Sequence, residues 1–333
     1  MLSLFGKRKK SIECCYCAKM MRIVEDADRC ECGKEENPRF YMQDYAIAKP
    51  FYVPIVGWSS VGKTVWLHSL TRRMRELSRT AWDQFTPTPA NEATMRFQKA
   101  VEESIRRKEL PEMTQLGVQE AYIMVLSKMP YWGSRTFVLR DCGGENFNDF
   151  EIPETQVPFL LNTRTSFFMF SLSDFQDETT DSSSRSMEQL LQGYVNTLLK
   201  YNANVRQERR KIIVILSKVD ALKADLPKNL FEYTVSDPIA LAANNGTKLA
   251  GFDSAGMNDY MKVLQRVSDQ IREWLSSRTD GKQFINFANN QNIDLRFTVV
   301  SSLGGSAQGD RTEQWEPYRV LDPFFWALDL HSN

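Results

Sequence analysis

A chain of 333 residues with 42 lysines and arginines against 42 acidic residues has no formal net charge, so nothing draws it globally toward nucleic acid or an anionic membrane. A hydrophobic share of 42% and a charged share of 25% fit an ordinary globular protein with room for one large domain and an appendage. Apolar runs such as "SFFMF" and "KIIVIL" are too short to span a bilayer, and with only 2 histidines a histidine-based hydrolase is not expected.

At the N-terminus, "MLSLFGKRKKS" places its basic cluster after the short apolar stretch, the reverse of a secretory signal. Lys7, Arg8, Lys9 and Lys10 read as a solvated tail over residues 1–12, and a cytoplasmic protein is expected. Cysteines follow at positions 14, 15, 17, 30 and 32, with the sixth, Cys142, far away. Such clustering in a cytosolic chain points to metal rather than disulfides. Cys14 and Cys17 have the two-residue spacer of a metal knuckle, and Cys30 and Cys32 form a tighter pair after a further twelve residues, 18–29. Four thiolates close a tetrahedral structural Zn²⁺ site, with Cys15 as a rival to its neighbours. A zinc-ribbon-like module with its linker is therefore expected over residues 13–45.

The run "FYVPIV" reads as a short buried strand despite Pro54, which cannot donate a ladder hydrogen bond and predicts a local irregularity. Behind it, "GWSSVGKT" (57–64) fits G-x-x-x-x-G-K-T, and "TVWLHSLTRRMREL" carries Val65, Leu67, Leu70, Met74 and Leu77 at helical spacing. Between a strand and a helix this motif is a phosphate cradle. Gly57 and Gly62 let the backbone wrap an anion, the amides of the helix start point at it, Lys63 adds charge and Thr64 can ligate Mg²⁺. His68 on this helix reads as a packing residue.

Further along, "TPTPANEAT" reads as a polar connection, followed by a helix near 92–108 and a hairpin of "VQEAYIMVLSK" and "RTFVLRD" around "MPYWGS". Buried strands are expected at "SFFMFSL", "KIIVILS" and "LRFTVVS". Helices are expected at "MEQLLQGYVNTLLKY", "MNDYMKVLQRVSDQIREWLSSR" and "YRVLDPFFWALDL". Strands alternating with helices predict an α/β fold, a mainly parallel sheet in three layers, with ligands at the carboxyl ends of the strands.

Three more motifs fall at such ends. "FVLRDCGGE" brings Asp141 and Gly144 in a D-x-x-G pattern suited to Mg²⁺ and a γ-phosphate. "VILSKVD" ends in Asp220, which can accept from the N1 and N2 donors of guanine, a pair adenine lacks, while the Lys218 stem lies along the ring plane. "TVVSSLGG" sets Ser301, Ser302 and Leu303 where a loop can close over a base. Cys142 reads as a small buried neighbour of the switch rather than a redox sensor.

These four motifs, in this order over residues 50–330, resemble those of Ras-type (TRAFAC-class) P-loop GTPases. The resemblance implies a Ras-like domain over residues 46–333, GTP or GDP as ligand and Mg²⁺-dependent hydrolysis. Gly57, Ser60, Val61, Gly62, Lys63, Thr64 and Val65 would bind phosphates, and Lys218, Asp220, Ser301, Ser302 and Leu303 the base. Thr64 and Asp141 would serve Mg²⁺, and Gly144 would sense the γ-phosphate. The switch threonine is assigned to Thr114 in "LPEMTQLGVQE", ahead of the hairpin, with Thr86, Thr88 and Thr94 as rivals. Lys63, Thr114, Gly144 and Glu145 form the catalytic set. Ser217 stands where the family has asparagine, which weakens or rearranges one purine contact. Glu145 stands where it has glutamine, and is expected either to point away, leaving turnover slow until a partner completes the site, or to act as a base.

The cysteine module and the ending "VLDPFFWALDL" further resemble the bacterial double-GTPase proteins, predicted parts of conflict or defence systems. That implies a molecular switch whose output is a protein effector or companion GTPase, with nucleic acid not expected as partner. The alternatives are a P-loop ATPase and a non-hydrolysing, zinc-dependent interaction module.

Overall fold

The computed structural model describes residues 11–22, 30–32, 39–111, 120–148, 152–154, 156–172, 186–202, 207–221, 226–305, 311–312 and 315–332. The chain opens with an antiparallel pair, β1 (Ser11–Glu13) and β2 (Met20–Arg22), then a short helix α1 (Arg39–Asp44). β1 takes in Ser11 and Ile12, the last two residues of the stretch expected as tail, because Ile12 is buried with the cysteines.

Next come β3 (Lys49–Gly57), α2 (Lys63–Thr80), β4 (Thr86–Pro89), α3 (Glu92–Arg107), β5 (Tyr122–Met129) and β6 (Gly133–Gly143). After the short helices α4 (Glu145–Asn148) and α5 (Val157–Asn162) the chain alternates again, through β7 (Thr165–Ser171), α6 (Met187–Tyr201) and β8 (Arg210–Ser217). Four helices follow without a strand between them: α7 (Lys228–Val235), α8 (Pro238–Asn245), α9 (Ser254–Ser276) and α10 (Thr279–Asn290). β9 (Ile293–Val299) and α11 (Asp322–Ser332) complete the described chain.

Seven strands form one sheet in the order β4-β5-β6-β3-β7-β8-β9. β5 pairs antiparallel with both neighbours and every other pairing is parallel, so β5 alone runs against the rest. Helices and the cysteine module cover both faces, giving an α/β fold in three layers. Pro54 leaves its mark where expected. β3 pairs with β6 along its whole length, but its ladder to β7 begins at Ile55, one residue past the proline.

Strand alternation decides which layer each residue meets. Phe51 and Phe137 stack with centroids 5.0 Å apart and meet Phe324 of α11 on one face. Tyr52, Ile123, Val125 and Val138 point the other way, into a separate cluster with Ile12, Cys14, Cys17, Tyr41 and Phe159. On the hairpin half of the sheet the cysteine module is therefore the third layer. Polar contacts fasten it there: Tyr41 meets the Tyr52 hydroxyl at 2.7 Å, Arg140 Nη1 donates to the Tyr16 carbonyl at 2.8 Å, and Asn162 Nδ2 to the Cys17 carbonyl at 3.0 Å.

Two expectations change. "TPTP" is the edge strand β4 rather than a connection, and its prolines are tolerated because an edge needs hydrogen bonds on one side only. The α2 core stripe runs through Trp66, Leu70, Met74 and Leu77, with Val65 outside it; Trp66 donates from Nε1 to the Val320 carbonyl at 3.2 Å. Among the described residues no helix is long and apolar enough to cross a membrane.

His68 packs as expected, 2% exposed, with its ring edge-on to Phe97 at 4.6 Å and stacked on Trp315 at 6.3 Å. Burial pushes its imidazole down to about 4 from the usual 6.5. The unfolded chain takes up this proton near the higher value and the folded chain only near the lower one. Stability is thus full above pH 6.5 and falls as pH drops toward 4, by up to about 3 kcal/mol from this residue. Urea unfolding followed from pH 7 to pH 4.5 should show this fall, and His68→Phe should remove its share of it; an unchanged slope in the variant would contradict the assignment.

Candidate functional site

The loop between β3 and α2 is shaped by two left-handed residues, Ser60 at φ 67° and Gly62 at φ 99°. Ser60 occupies a conformation that favours glycine, a local strain fixed by its surroundings. α2 begins at Lys63 with no side chain capping its first amides, the arrangement suited to an anion. Lys63 Nζ folds back onto the loop, donating to the Gly57 carbonyl at 2.5 Å and the Trp58 carbonyl at 3.0 Å.

The end of β6 closes on this loop. The Gly144 amide donates to the Gly57 carbonyl at 2.9 Å. A Cβ on Gly144 would lie 2.9 Å from the Gly57 carbonyl carbon and the Trp58 nitrogen, so only glycine permits the approach. Gly57 is equally constrained: a Cβ there would stand 2.7 Å from the Met169 carbonyl oxygen.

Asp141, two residues before the Gly143–Gly144 turn, sits with Oδ1 3.8 Å from Lys63 Nζ, and that oxygen is buried without a hydrogen-bond partner. Burial raises its carboxyl above the usual range, Lys63 opposes the rise and Glu145 adds to it. An orphaned buried carboxylate oxygen beside the cradle, near the start of α2 where Thr64 lies, is a donor set that suits Mg²⁺. Cys142 is buried, and burial pushes its thiol up to about 12, which keeps it protonated and unreactive.

Glu145 does what neither role weighed for it describes. Its Oε1 accepts from the Ser59 amide at 2.5 Å, inside the loop itself. Burial pushes its carboxyl up, but the bonds from Ser59 and its own amide outweigh that and hold it below the usual range. Ser59 was not singled out in the sequence, and a contact across so wide a gap in the chain leaves no local pattern to read.

At the next strand end Ser217 is buried and donates to the Val61 carbonyl at 2.6 Å, with the Phe170 carbonyl 3.1 Å away. This serine therefore ties the loop between β3 and α2 to β7 and β8. Lys218 follows with φ 60°, and Asp220 lies in a single 3₁₀ turn, Val219–Ala221. Asp220 Oδ1 accepts from the Ser301 hydroxyl at 2.6 Å, and Ser301 Oγ in turn accepts from the Gly304 amide at 2.9 Å. The Ser302 carbonyl accepts from Ser69 of α2 at 2.6 Å, and the Leu303 carbonyl from the Glu316 amide at 2.7 Å. Four segments far apart in sequence are thus joined at one end of the sheet.

The threonines sort differently. Thr114 lies outside the described residues. Thr86 and Thr88 belong to the edge strand β4, and Thr94 packs in α3, its hydroxyl donating to Asn91 Oδ1 at 2.5 Å and accepting from the Ile123 amide at 2.8 Å. All three have structural settings.

Within the cysteine module, the sulfurs of Cys14, Cys17, Cys30 and Cys32 lie within 4.8 Å of one another. Cys14 and Cys32 are 4.0 Å apart, Cys17 and Cys30 3.5 Å. Tetrahedral Zn–S bonds of about 2.3 Å require sulfurs about 3.8 Å apart, so the set fits Zn²⁺. Hydrogen bonding with Cys17, ahead of the opposing burial, lowers the Cys14 thiol to about 5, while Cys17 is raised. Cys15 is buried beside them, with burial pushing its thiol up, and stands outside the group of four.

No family model matches the chain, and no curated protein matches it in sequence. Among solved structures it is similar to the GTPase-like domain of Saccharomyces cerevisiae Ski7 bound to GTP, at 14% identity over 88% of this chain and 52% of that one, with a TM-score of 0.38. It is also similar to the signal recognition particle receptor SRb-GTP/SRX complex from Chaetomium thermophilum, at 12% identity over 78% of this chain and 94% of that one, with a TM-score of 0.32. The chain spans about half (52%) of the Ski7 chain. Both likenesses are distant.

Proposed function

We propose that the chain is a Mg²⁺-dependent GTP-binding and GTP-hydrolysing switch. The observation that carries this reading is the Asp220–Ser301 hydrogen bond at 2.6 Å, which holds a carboxylate at the strand end beside Lys218. A carboxylate set there accepts both guanine donors, and the Ser301 contact, itself held by the Gly304 amide, fixes its orientation. The Gly57–Lys63 loop would hold the phosphates, with Lys63 leaving its two backbone carbonyls to meet them. Mg²⁺, held through Thr64 and Asp141, would supply charge neutralisation between the β- and γ-phosphates. Ser217 acts as a tie on the phosphate loop rather than a reader of the purine.

Hydrolysis is proposed to be slow in isolation, because Glu145 carries a charge where a neutral donor would orient water. Thr114 is proposed as the threonine ordered by GTP, and its segment, with that around Gly144, as the face read by a protein effector or companion GTPase. A bacterial defence setting is the proposed context. Zn²⁺ in the four-cysteine site would hold the module that forms the third layer over the hairpin.

Asp220→Ala should lower the preference for guanine over adenine nucleotides by about 2 kcal/mol, measured by competition titration. Retention of full discrimination would show that the base is read elsewhere. Metal analysis of the purified protein should find one Zn²⁺ per chain, absent when Cys14 and Cys17 are both changed to serine and retained in Lys63→Ala. Metal-free wild type with unchanged stability would exclude the zinc role.

A further inference from the structure

We propose that Glu145 is an internal competitor for the terminal phosphate, so that the chain by itself favours the nucleoside diphosphate over the triphosphate. This rests on the nucleotide-binding reading above and names how that site discriminates. The contact is direct: Glu145 Oε1 accepts from the Ser59 amide at 2.5 Å. Ser59 is the third residue of the eight-residue loop, whose amides are the chain's donors to an anion. Glu145 directly follows Gly144, the residue placed at the γ-phosphate, so its carboxylate lies where the third phosphate rather than the second would come.

The carboxylate is presented there by fixed backbone. Gly144 is pinned to the Gly57 carbonyl at 2.9 Å. Two residues on, Phe147 is buried against Tyr194 with ring centroids 5.7 Å apart, and α6 approaches so closely at Gly193 that a Cβ there would stand 2.5 Å from the Phe147 carbonyl oxygen. The backbone on both sides of Glu145 is therefore clamped, and release of the Ser59 amide falls to rotation of one side chain or a shift of α4 as a whole.

The surrounding charges sharpen the competition. Lys63 lies 3.8 Å from Asp141 and also lowers Glu145, so one cation serves two carboxylates. The second Glu145 oxygen, Oε2, is buried without a hydrogen-bond partner. A diphosphate can take Lys63 and the amides at the helix start without meeting Glu145. A triphosphate brings further negative charge against it and must displace it from Ser59, unless a partner draws the carboxylate away. Like charges this close repel strongly in a partly buried site.

The test is equilibrium binding of GDP and of GTPγS, each with Mg²⁺ at fixed concentration, to wild type, Glu145→Gln and Glu145→Ala. The wild type should bind GDP at least tenfold more tightly than GTPγS. Both variants should gain at least tenfold for GTPγS while their GDP affinity stays within threefold, which also reports an intact fold. Equal affinities in the wild type, or a preference for GTPγS, overturn the proposal without recourse to any variant. A GDP preference that survives both substitutions also overturns it, while leaving the nucleotide site standing. Binding of neither nucleotide by any of the three proteins removes the nucleotide reading itself, and the proposal with it.

Discussion

The hydrogen bond from the Gly144 amide to the Gly57 carbonyl, 2.9 Å long, is the contact on which the site depends. It joins the end of β6 to the start of the loop between β3 and α2, and it exists only because neither residue has a side chain. A methyl group on either would meet backbone atoms at less than 3.0 Å. With that approach made, Asp141 is brought within 3.8 Å of Lys63, and Glu145 is delivered to Ser59. Ser217 secures the other flank by bonding the Val61 carbonyl at 2.6 Å. The loop is thus held from the ends of β6 and β8, and the strained φ of Ser60 is sustained between them.

The same β6 serves both layers. Phe137 and Leu139 face the main core, Val138 and Arg140 face the cysteine module, and Asp141 follows at the strand's end. Arg140 reaches the Tyr16 carbonyl, between Cys14 and Cys17, from the position adjacent to Asp141. Without the module, the apolar side chains of Tyr52, Ile123, Val125 and Val138 would lie open to water, at a cost of about 25 cal/mol per Å² exposed. The module is therefore part of the domain's core economy, and a metal that orders it would stabilise the sheet beneath.

Most strands and the order of the motifs were legible in the sequence because each depends on local chemistry. Buried parallel strands such as "KIIVILS" are continuous apolar runs, and the loop motif is eight consecutive residues. The cysteine set was legible for the same reason, since spacing alone pairs Cys14 with Cys17 and Cys30 with Cys32. What escaped was edge or long-range. β4, with prolines at 87 and 89, lacks the composition of a strand and is made one by its place at the sheet margin. α8 carried a readable start, Asp237 capping the Ile239 and Ala240 amides ahead of Pro238, yet its small apolar residues gave little periodicity. The roles of Ser217 and Glu145 arise from contacts with residues distant in sequence, Val61 and Ser59, which no window of sequence contains.

The most direct test of the central claim is calorimetric titration of the purified wild-type chain with GTP and, separately, with ATP in the presence of Mg²⁺. GTP should bind saturably and one-to-one, with ATP weaker by at least tenfold because it lacks the donors that Asp220 accepts. ATP binding as tight as GTP, or no binding of either, would contradict that claim.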